Sequence, residues 1–167
     1  AGDIVDSTAV PILPDDTARE VFDKVCVAAE ITLDRALPGL LSGTAPRIAM
    51  DLRTGSYFGA RRPEDGRIDW RLDAQRIHNL VRAVAPPYPG ATTTLAGHPA
   101  RVLSSRVLTP TGDATAPVLR VRDRSILVQC GGGGTLRIAV LELDGRPIAA
   151  HELVAALGCD EIGLNDT

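Results

Sequence analysis

Two stretches of the sequence carry residue types that bind anions. In RRPEDGRIDW, at residues 61–70, Arg61 and Arg62 precede an acidic pair and a glycine turn, and Trp70 is the only tryptophan of the chain. A guanidinium group donates two parallel hydrogen bonds to a phosphate or a carboxylate. The adjacent arginines therefore predict a phosphate-binding segment.

The second stretch is a set of polar residues at helical spacing, which consists of Gln75, His78, Asn79 and Arg82. On a helix they share one face, and the opposite face is apolar, with Ile77, Leu80, Val81 and Val84. One interpretation is an ordinary solvated face, which is the commoner role of a polar helix face. The other is an anion site, in which Arg82 or His78 closes over a phosphate held by the arginine pair. Periodicity does not choose between them.

Other reactive side chains form no recognisable site. Cys26, Cys130 and Cys159 are far apart and include no C-x-x-C pair, which is typical of reduced thiols. No two histidines have the spacing of metal ligands, so no metal is predicted. The run Gly131–Gly134 lacks the Lys-Ser/Thr of a phosphate loop and precedes a strand, so it is predicted to be a flexible hairpin loop.

The elements that must position these residues fall into an α-helical first part and a β-rich second part. A long amphipathic helix is predicted over residues 17–42, because Thr17 and Glu20 form the capping-box pattern before residues of helical periodicity. Pro38 is expected to kink or interrupt this helix, and Gly43 to end it.

Before this helix, residues 4–12 are predicted to form a strand or a pair of short strands. A second helix is predicted from Asp73 to about Ala85, where prolines follow. Beyond Gly90, runs such as TTTLAGHPARVLSSRVL and TLRIAVLEL predict five or six short strands, which fit a small β-barrel or sandwich. The short helix AAHELVAAL is predicted near the end.

Composition limits the classes of function. The chain has 167 residues, a formal net charge of −3 and a single lysine, Lys24, without the positive excess of a nucleic-acid-binding protein. No apolar run approaches the roughly 20 residues that span a bilayer, and the first residues do not form a signal peptide. A cytoplasmic protein without membrane or nucleic-acid partners is therefore predicted; its oligomeric state is left open.

Three segments of the chain carry specific motifs. AGDIV begins the chain, and PDDTAREVFDKVCVAAEITLDRALPGLLSG contains the predicted long helix. The third segment follows the pattern F-G-x-R-x-P-x-D, an acid-Trp pair, and H-N-x-x-R-A-x-x-P-x-P-G-A. It comprises Phe58, Gly59, Arg61, Pro63, Asp65, Asp69, Trp70, His78, Asn79, Arg82, Ala83, Pro87, Pro89, Gly90 and Ala91. Together these segments resemble the formyltransferases that use 10-formyltetrahydrofolate, in particular those that act on UDP-4-amino-4-deoxy-L-arabinose in lipid A modification, and the second is similar to the last helix of their catalytic domain.

The resemblance implies an N-formyltransferase that moves the formyl group of 10-formyltetrahydrofolate to the amine of a UDP-amino sugar. In the family, an Asn and a His support the oxyanion while the Asp of a D-x-G motif handles the amine proton. AGDIV matches the tail of that motif, which places the Asp one position before Ala1. No catalytic residue is then expected in this chain, which is predicted to be inactive without a missing N-terminal segment. Its folate-binding residues would be Ala1, Gly2 and Asp3.

The implied fold is α/β plus β: residues 1–58 form the rear part of a Rossmann-like formyltransferase domain, 59–68 a linker, and 69–167 a helix and a small OB-like β-barrel. The implied substrate-binding residues are Arg61, Arg62, Asp65, His78, Asn79, Arg82 and Tyr88, the last as a ring that stacks on uracil or simply packs. Two alternatives remain open, a methionyl-tRNA formyltransferase and a noncatalytic binding or assembly module. Tight tRNA binding would require a basic β-domain, but residues 92–167 contain no lysine and end in the acidic CDEIGLND.

Overall fold

A computed structural model describes residues 2–60 and 62–164. The chain divides into two compact units, Ala1–Arg61 and Arg62–Thr167, called the first and second units below. The first unit contains one long helix, and the second contains all the strands and two helices. Each unit is described by itself.

The helix of the first unit, α1, spans Ala18–Ser42. Thr17 caps it as predicted: its hydroxyl accepts from the Glu20 amide, and the Glu20 carboxylate accepts from the Thr17 amide at 2.7 Å. Gly43 ends the helix with a left-handed φ of 75°. Pro38 lies within α1 and does not interrupt it, since the helix continues for four more residues.

Residues 4–12 do not form the predicted strands. Among the described residues of this segment, the only β-type pairing is a bridge between Ile4 and Ile48. Side chains hold the segment instead: Arg35 of α1 donates to both oxygens of Asp6 at 2.7 and 2.9 Å, and the Thr8 and Thr32 hydroxyls lie 2.6 Å apart. The apolar residues of this segment predicted strand, but the described part of the first unit offers no neighbouring strand to pair with. A 3₁₀ turn follows at Leu52–Thr54.

The second unit is built on one antiparallel sheet of seven strands. In chain order they are β1 (Ala91–Leu95), β2 (His98–Thr109), β3 (Val118–Arg122), β4 (Ser125–Gln129), β5 (Thr135–Leu143), β6 (Arg146–Pro147) and β7 (Glu161–Gly163). Their spatial order is β1-β2-β5-β4-β3-β7, and β6 pairs with β5. The sheet is curled into a half-barrel, which agrees with the predicted small β-barrel in outline. Within the described ranges no parallel Rossmann sheet is present.

Two helices accompany this sheet, α2 (Ala74–Ala83) and α3 (Ala150–Leu157). Asp73 caps α2 by accepting from the Arg76 amide at 2.8 Å, as the sequence predicts. Ile77 and Val81 of α2 are buried and join the sheet's inner residues, such as Leu119 and Leu136, in one core. Gly158 ends α3 in a left-handed conformation. The core of the second unit thus lies between the concave face of the sheet and its helices.

The glycine run joins the paired strands β4 and β5, as predicted for a hairpin loop, but it is packed against the backbone before α2 and is not the flexible loop that was expected. Gly131 donates to the Trp70 carbonyl at 2.8 Å, and Gly132 donates to the Leu72 carbonyl at 3.1 Å. The amide of Ala74, at the start of α2, donates to the Gly133 carbonyl at 3.0 Å. A Cβ on Gly132 would lie only 2.6 Å from the Asp73 nitrogen. Glycine is therefore required because two backbones approach closely, a relation that local sequence does not encode.

Candidate functional site

The arginine-rich segment at the start of the second unit is ordered by its acidic residues. A 3₁₀ turn spans Pro63–Gly66, and the Arg62 amide donates to Asp65 Oδ2 at 2.8 Å. The Asp65 carboxylate therefore shapes the turn, whereas the exposed Arg62 guanidinium has no hydrogen bond or ion pair with the parts of the chain that are described. Arg61 lies outside the described residues, so its predicted role as a phosphate ligand remains a prediction.

The end of the same segment is anchored in the sheet. The Ile68 amide donates to the Thr92 carbonyl at 2.9 Å, and the buried Trp70 indole donates to the Thr93 hydroxyl at 2.8 Å. Asp69 is partly exposed and accepts two hydrogen bonds from the Arg71 guanidinium and one from the Arg71 amide, which lower the pKa of its carboxyl group below the ordinary value. A charged segment that ends on a buried tryptophan is thereby held at a fixed point of the β-sheet.

Three of the four polar residues predicted on α2 do form one hydrogen-bonded group. The Asn79 side-chain oxygen accepts from Arg82 Nε at 2.9 Å and from the Gln75 amide group at 3.3 Å. Asn79 is exposed and the other two are half-buried. The side-chain oxygen of Asn79 therefore orients the Arg82 guanidinium through Nε, and the terminal nitrogens of the guanidinium take no part in this hydrogen bond.

His78 does not belong to the exposed face, and its assignment there is wrong. Its side chain is 3% exposed, and its Nδ1 lies 2.9 Å from the Ser105 hydroxyl on β2. His78 lies four residues after Ala74 and three before Val81, which are both buried, so helical spacing places it at the edge of the face that packs on the sheet. His78 is thus part of the contact between α2 and β2.

Tyr88 lies in the proline-rich segment after α2. Its ring is 47% exposed, while its amide donates to the Ala85 carbonyl at 3.1 Å. Gly90 closes the segment by donating to the Val84 carbonyl at 2.8 Å. An exposed aromatic ring on a backbone fixed at both ends is suited to stacking on a flat ligand.

The predicted folate-binding residues are in the first unit. Ala1 lies outside the described residues, while Gly2 and Asp3 are exposed. A Cβ on Gly2 would meet nothing within 4 Å, so no wall surrounds this position within the described chain. Two exposed residues do not enclose a pterin ring, and no step of formyl transfer is assigned to them.

Of the three cysteines, Cys130 is buried, while Cys26 and Cys159 are exposed. Burial, followed by the nearby Asp73 charge, raises the pKa of the Cys130 thiol to about 12, which leaves it protonated and unreactive at neutral pH. Over residues 2–60 and 62–164 there is no group of three or more possible metal ligands. Within these same ranges no helix has the length and apolar character required to cross a membrane.

Sequence reasoning missed the partners that hold the site residues in place. Thr93 and Ser105 are buried polar residues on strands, and each receives a side chain from the segment that contains α2. A polar residue at a buried position of an alternating strand could have revealed them. Thr93 is such a residue, because it shares the buried face of β1 with Ala91 and Leu95. Arg101 and Glu142 were also missed, because their pairing depends on the register of two strands that are distant in sequence.

A curled antiparallel half-barrel, with one helix on its concave face and an arginine-rich entry segment, defines a small β-domain of formyltransferase type. The family described as formyl transferase, C-terminal domain, matches residues 61–157. Because this match covers more than half of the chain, the protein belongs to the formyltransferase C-terminal domain family.

Solved structures with the same fold include sugar formyltransferases. An N-formyltransferase from Helicobacter canadensis, in complex with folinic acid and dTDP-3-aminofucose, matches with a TM-score of 0.65 and 16% identity over 82% of this chain. WlaRD, a sugar 3N-formyl transferase crystallised in the presence of dTDP and 5-N-formyl-THF, matches with a TM-score of 0.56 and 17% identity over 81%. HypX from Aquifex aeolicus, in complex with tetrahydrofolic acid, matches with a TM-score of 0.65 and 16% identity over 94%.

These matches cover only part of each neighbour. The chain corresponds to 49% of the Helicobacter canadensis enzyme, 48% of WlaRD and 28% of HypX. At these identities the likeness establishes the fold alone.

Proposed function

We propose that this chain is the C-terminal portion of an N-formyltransferase that transfers the formyl group of 10-formyltetrahydrofolate to the amine of a UDP-amino sugar. The observation that carries the proposal is the family membership of residues 61–157, joined to the H-N-x-x-R and RRPEDGRIDW patterns. Two of the structural neighbours are sugar formyltransferases whose structures were determined with a formylated folate and a dTDP or dTDP-sugar ligand. The UDP base and the lipid A modification pathway rest on the sequence resemblance.

In this proposal the sugar nucleotide is held by the arginine-rich segment and by α2. Arg62 supports the proposal because its guanidinium is exposed and lacks a partner in the described chain. Arg61 carries the same chemistry, and Asp65 fixes the turn that begins after Arg62. Asn79 orients Arg82 as an additional donor, and Tyr88 offers a ring for the base. His78 is retained in the proposal as the residue that holds α2 on β2.

The exposed surface of α1 supports a further partner, the remainder of the same catalytic domain. None of its residues is buried, and apolar side chains are exposed around the helix, for example Phe22 at 59% and Leu41 at 81%. A helix that is apolar on several faces is stable in water only when it is covered. We propose that α1 packs against an N-terminal segment that also supplies the catalytic Asn, His and Asp.

The chemistry assigns clear requirements to that N-terminal segment. The substrate amine attacks the formyl carbon, a positioned carboxylate accepts the amine proton, and hydrogen-bond donors stabilise the tetrahedral oxyanion. Tetrahydrofolate then leaves as the formyl–nitrogen bond of the cofactor breaks. The described residues would contribute to binding and orientation of the nucleotide, which lowers the entropic cost of bringing the amine to the formyl group.

An experiment on nucleotide affinity tests the site. In the full-length protein, the double substitution Arg61→Ala and Arg62→Ala should weaken UDP binding by about tenfold or more, because charge-assisted hydrogen bonds to phosphate are lost, each worth about 1.5–3 kcal/mol. Isothermal titration calorimetry measures the dissociation constant. The matched control is Arg122→Ala with Arg124→Ala, which removes two exposed arginines from the β3–β4 turn. Unchanged affinity in the first double variant would reject the phosphate site.

The methionyl-tRNA alternative makes a different prediction. Binding to tRNA is dominated by phosphate neutralisation and weakens steeply as salt rises. A gel-shift titration with initiator tRNA at two salt concentrations therefore separates the two enzymes. Tight, strongly salt-dependent binding would favour the tRNA enzyme, and the proposed sugar-nucleotide enzyme predicts weak, nonspecific binding. The noncatalytic module would be favoured if the full-length protein bound neither ligand.

A further inference from the structure

The segment Pro86–Gly90, called the tyrosine loop below, has a backbone that is fixed on one side by α2 and on the other by β2. Gly90 has a φ of 86°, and a Cβ at this position would lie 2.4 Å from Leu103 Cδ2 on β2. The loop backbone therefore fits closely against that strand. Tyr88 nonetheless has nearly half of its surface exposed.

Arg101 on β2 connects this loop to the sheet. Its Nη1 donates to the Pro89 carbonyl at 3.4 Å, next to Tyr88 in the chain. Its Nη2 lies 2.5 Å from Glu142 Oε2 on β5, the residue that is its direct partner in the strand register. One guanidinium thus joins the loop to a carboxylate of the neighbouring strand.

The environment of Glu142 restrains the Arg101 guanidinium beside it. Its side chain is 15% exposed, and Oε2 is closed off from solvent. This oxygen has no partner with hydrogen-bond geometry in the described chain, so its contact with Arg101 is an ion pair without a well-directed hydrogen bond. A carboxylate removed from water is costly unless a cation remains beside it. Arg101 is therefore restrained by Glu142, and its free arm is left for the Pro89 carbonyl.

We propose that Arg101 and Glu142 are positioning residues that orient Tyr88 for stacking on the pyrimidine base of a nucleoside diphosphate sugar. This inference rests on the proposed function, since it assigns the Tyr88 ring to the nucleotide. Neither residue touches the ligand in the proposal. Glu142 holds Arg101, Arg101 holds the carbonyl of Pro89, and the adjacent ring is presented at a fixed angle to the solvent.

The sheet supplies a matched control pair. Arg120 on β3 and Glu161 on β7 are also direct register partners, with Arg120 Nε and Nη2 donating to the Glu161 carboxylate at 2.8 and 3.2 Å. The two arginines are similarly exposed, but Glu161 is more exposed than Glu142, and the described contacts of the control pair do not include the tyrosine loop. Removing the charge of Glu161 therefore measures the general effect of breaking a cross-strand ion pair.

The test uses the full-length protein with fluorine-labelled tyrosine and UDP as the ligand. The described chain contains Tyr57 and Tyr88, and Tyr57→Phe helps to assign the fluorine resonance of Tyr88. Glu142→Gln should shift that resonance and raise the dissociation constant of UDP by about tenfold, which corresponds to a misplaced stacking contact. Glu161→Gln should leave both unchanged.

A charge-exchanged variant separates positioning from simple stability. Arg101→Glu combined with Glu142→Arg restores an ion pair but places a carboxylate where the Pro89 carbonyl needs a donor. We expect thermal stability to recover in this variant while the Tyr88 resonance and UDP affinity remain altered. Recovery of all three would overturn the inference, as would a Glu142→Gln variant with an unchanged resonance or unchanged affinity.

The two proposals fail in distinguishable ways. If wild-type protein does not bind UDP, the proposed function is rejected and the nucleotide role of Tyr88 is overturned with it, whatever the resonance does. If wild-type protein binds UDP and Glu142→Gln binds it equally well, the proposed function stands and only the positioning role is overturned.

Discussion

At the scale of single residues, two buried hydrogen bonds determine how the segment that carries the candidate site lies on the sheet. Trp70 donates to Thr93 of β1, and His78 pairs with Ser105 of β2. A buried polar group must find its partner, because leaving it unpaired costs far more than the bond itself contributes. These two bonds therefore allow one placement of α2 and penalise others.

The substitution Ser105→Ala tests this role. It leaves His78 Nδ1 without its hydroxyl partner inside the core, so we expect the free energy of unfolding to fall by about 1–3 kcal/mol. Urea unfolding followed by fluorescence of Trp70, which is buried in the same core, measures the change. Ser104→Ala is the matched control, since Ser104 is only partly buried, and it should change the stability by about 0.5 kcal/mol or less. Equal effects of the two substitutions would show that the buried pair contributes nothing specific.

At the scale of elements, the glycine run after β4 forms the seat for the N-terminus of α2. The carbonyl of Gly133 accepts from the Ala74 amide, one of the helix amides that have no intrahelical partner. Its neighbours pair with the backbone of residues 70–72. The helix that carries Asn79 and Arg82 is therefore positioned by a turn distant from it in sequence.

The substitution Gly132→Ala should weaken this seat. The new methyl group would lie 2.6 Å from the Asp73 nitrogen and 2.8 Å from the Leu72 carbonyl carbon, so backbone has to move. Overpacking of this kind costs about 1–3 kcal/mol, and hydrogen exchange of the α2 amides should accelerate. Gly163→Ala is the control, because a Cβ there meets nothing within 4 Å. The account of the seat is wrong if α2 exchanges at the same rate in both variants.

The sequence predicted those elements whose signals are local. The capping box of α1 and the Asp73 cap of α2 appear where the residues indicate them. Two errors arose where distant backbone decides the outcome: residues 4–12 lack a neighbouring strand, and the glycines meet the start of α2. His78 was assigned to the polar face although it lies at helical spacing from the buried Ala74 and Val81. The candidate site was found as a set of residue types, but its supports Thr93, Ser105 and Arg101 depend on strand register.

At the scale of the whole molecule, the two units differ in how they meet the requirement for a core. The second unit buries a continuous set of apolar side chains from its sheet and helices. In the described part of the first unit, α1 buries none of its residues. This difference is expected if the first unit is one portion of a larger domain, and it agrees with the partial coverage of the structural neighbours.

The central claim is that the protein formylates the amine of a sugar nucleotide. The most direct measurement is mass spectrometry of products after the full-length protein is incubated with 10-formyltetrahydrofolate and UDP-4-amino-4-deoxy-L-arabinose, with dTDP-3-aminofucose and methionyl initiator tRNA as competing acceptors. The account predicts that a UDP-amino sugar gains the mass of one formyl group while tetrahydrofolate accumulates in equal amount. Formylated methionyl-tRNA, with both sugar nucleotides recovered unchanged, would contradict it.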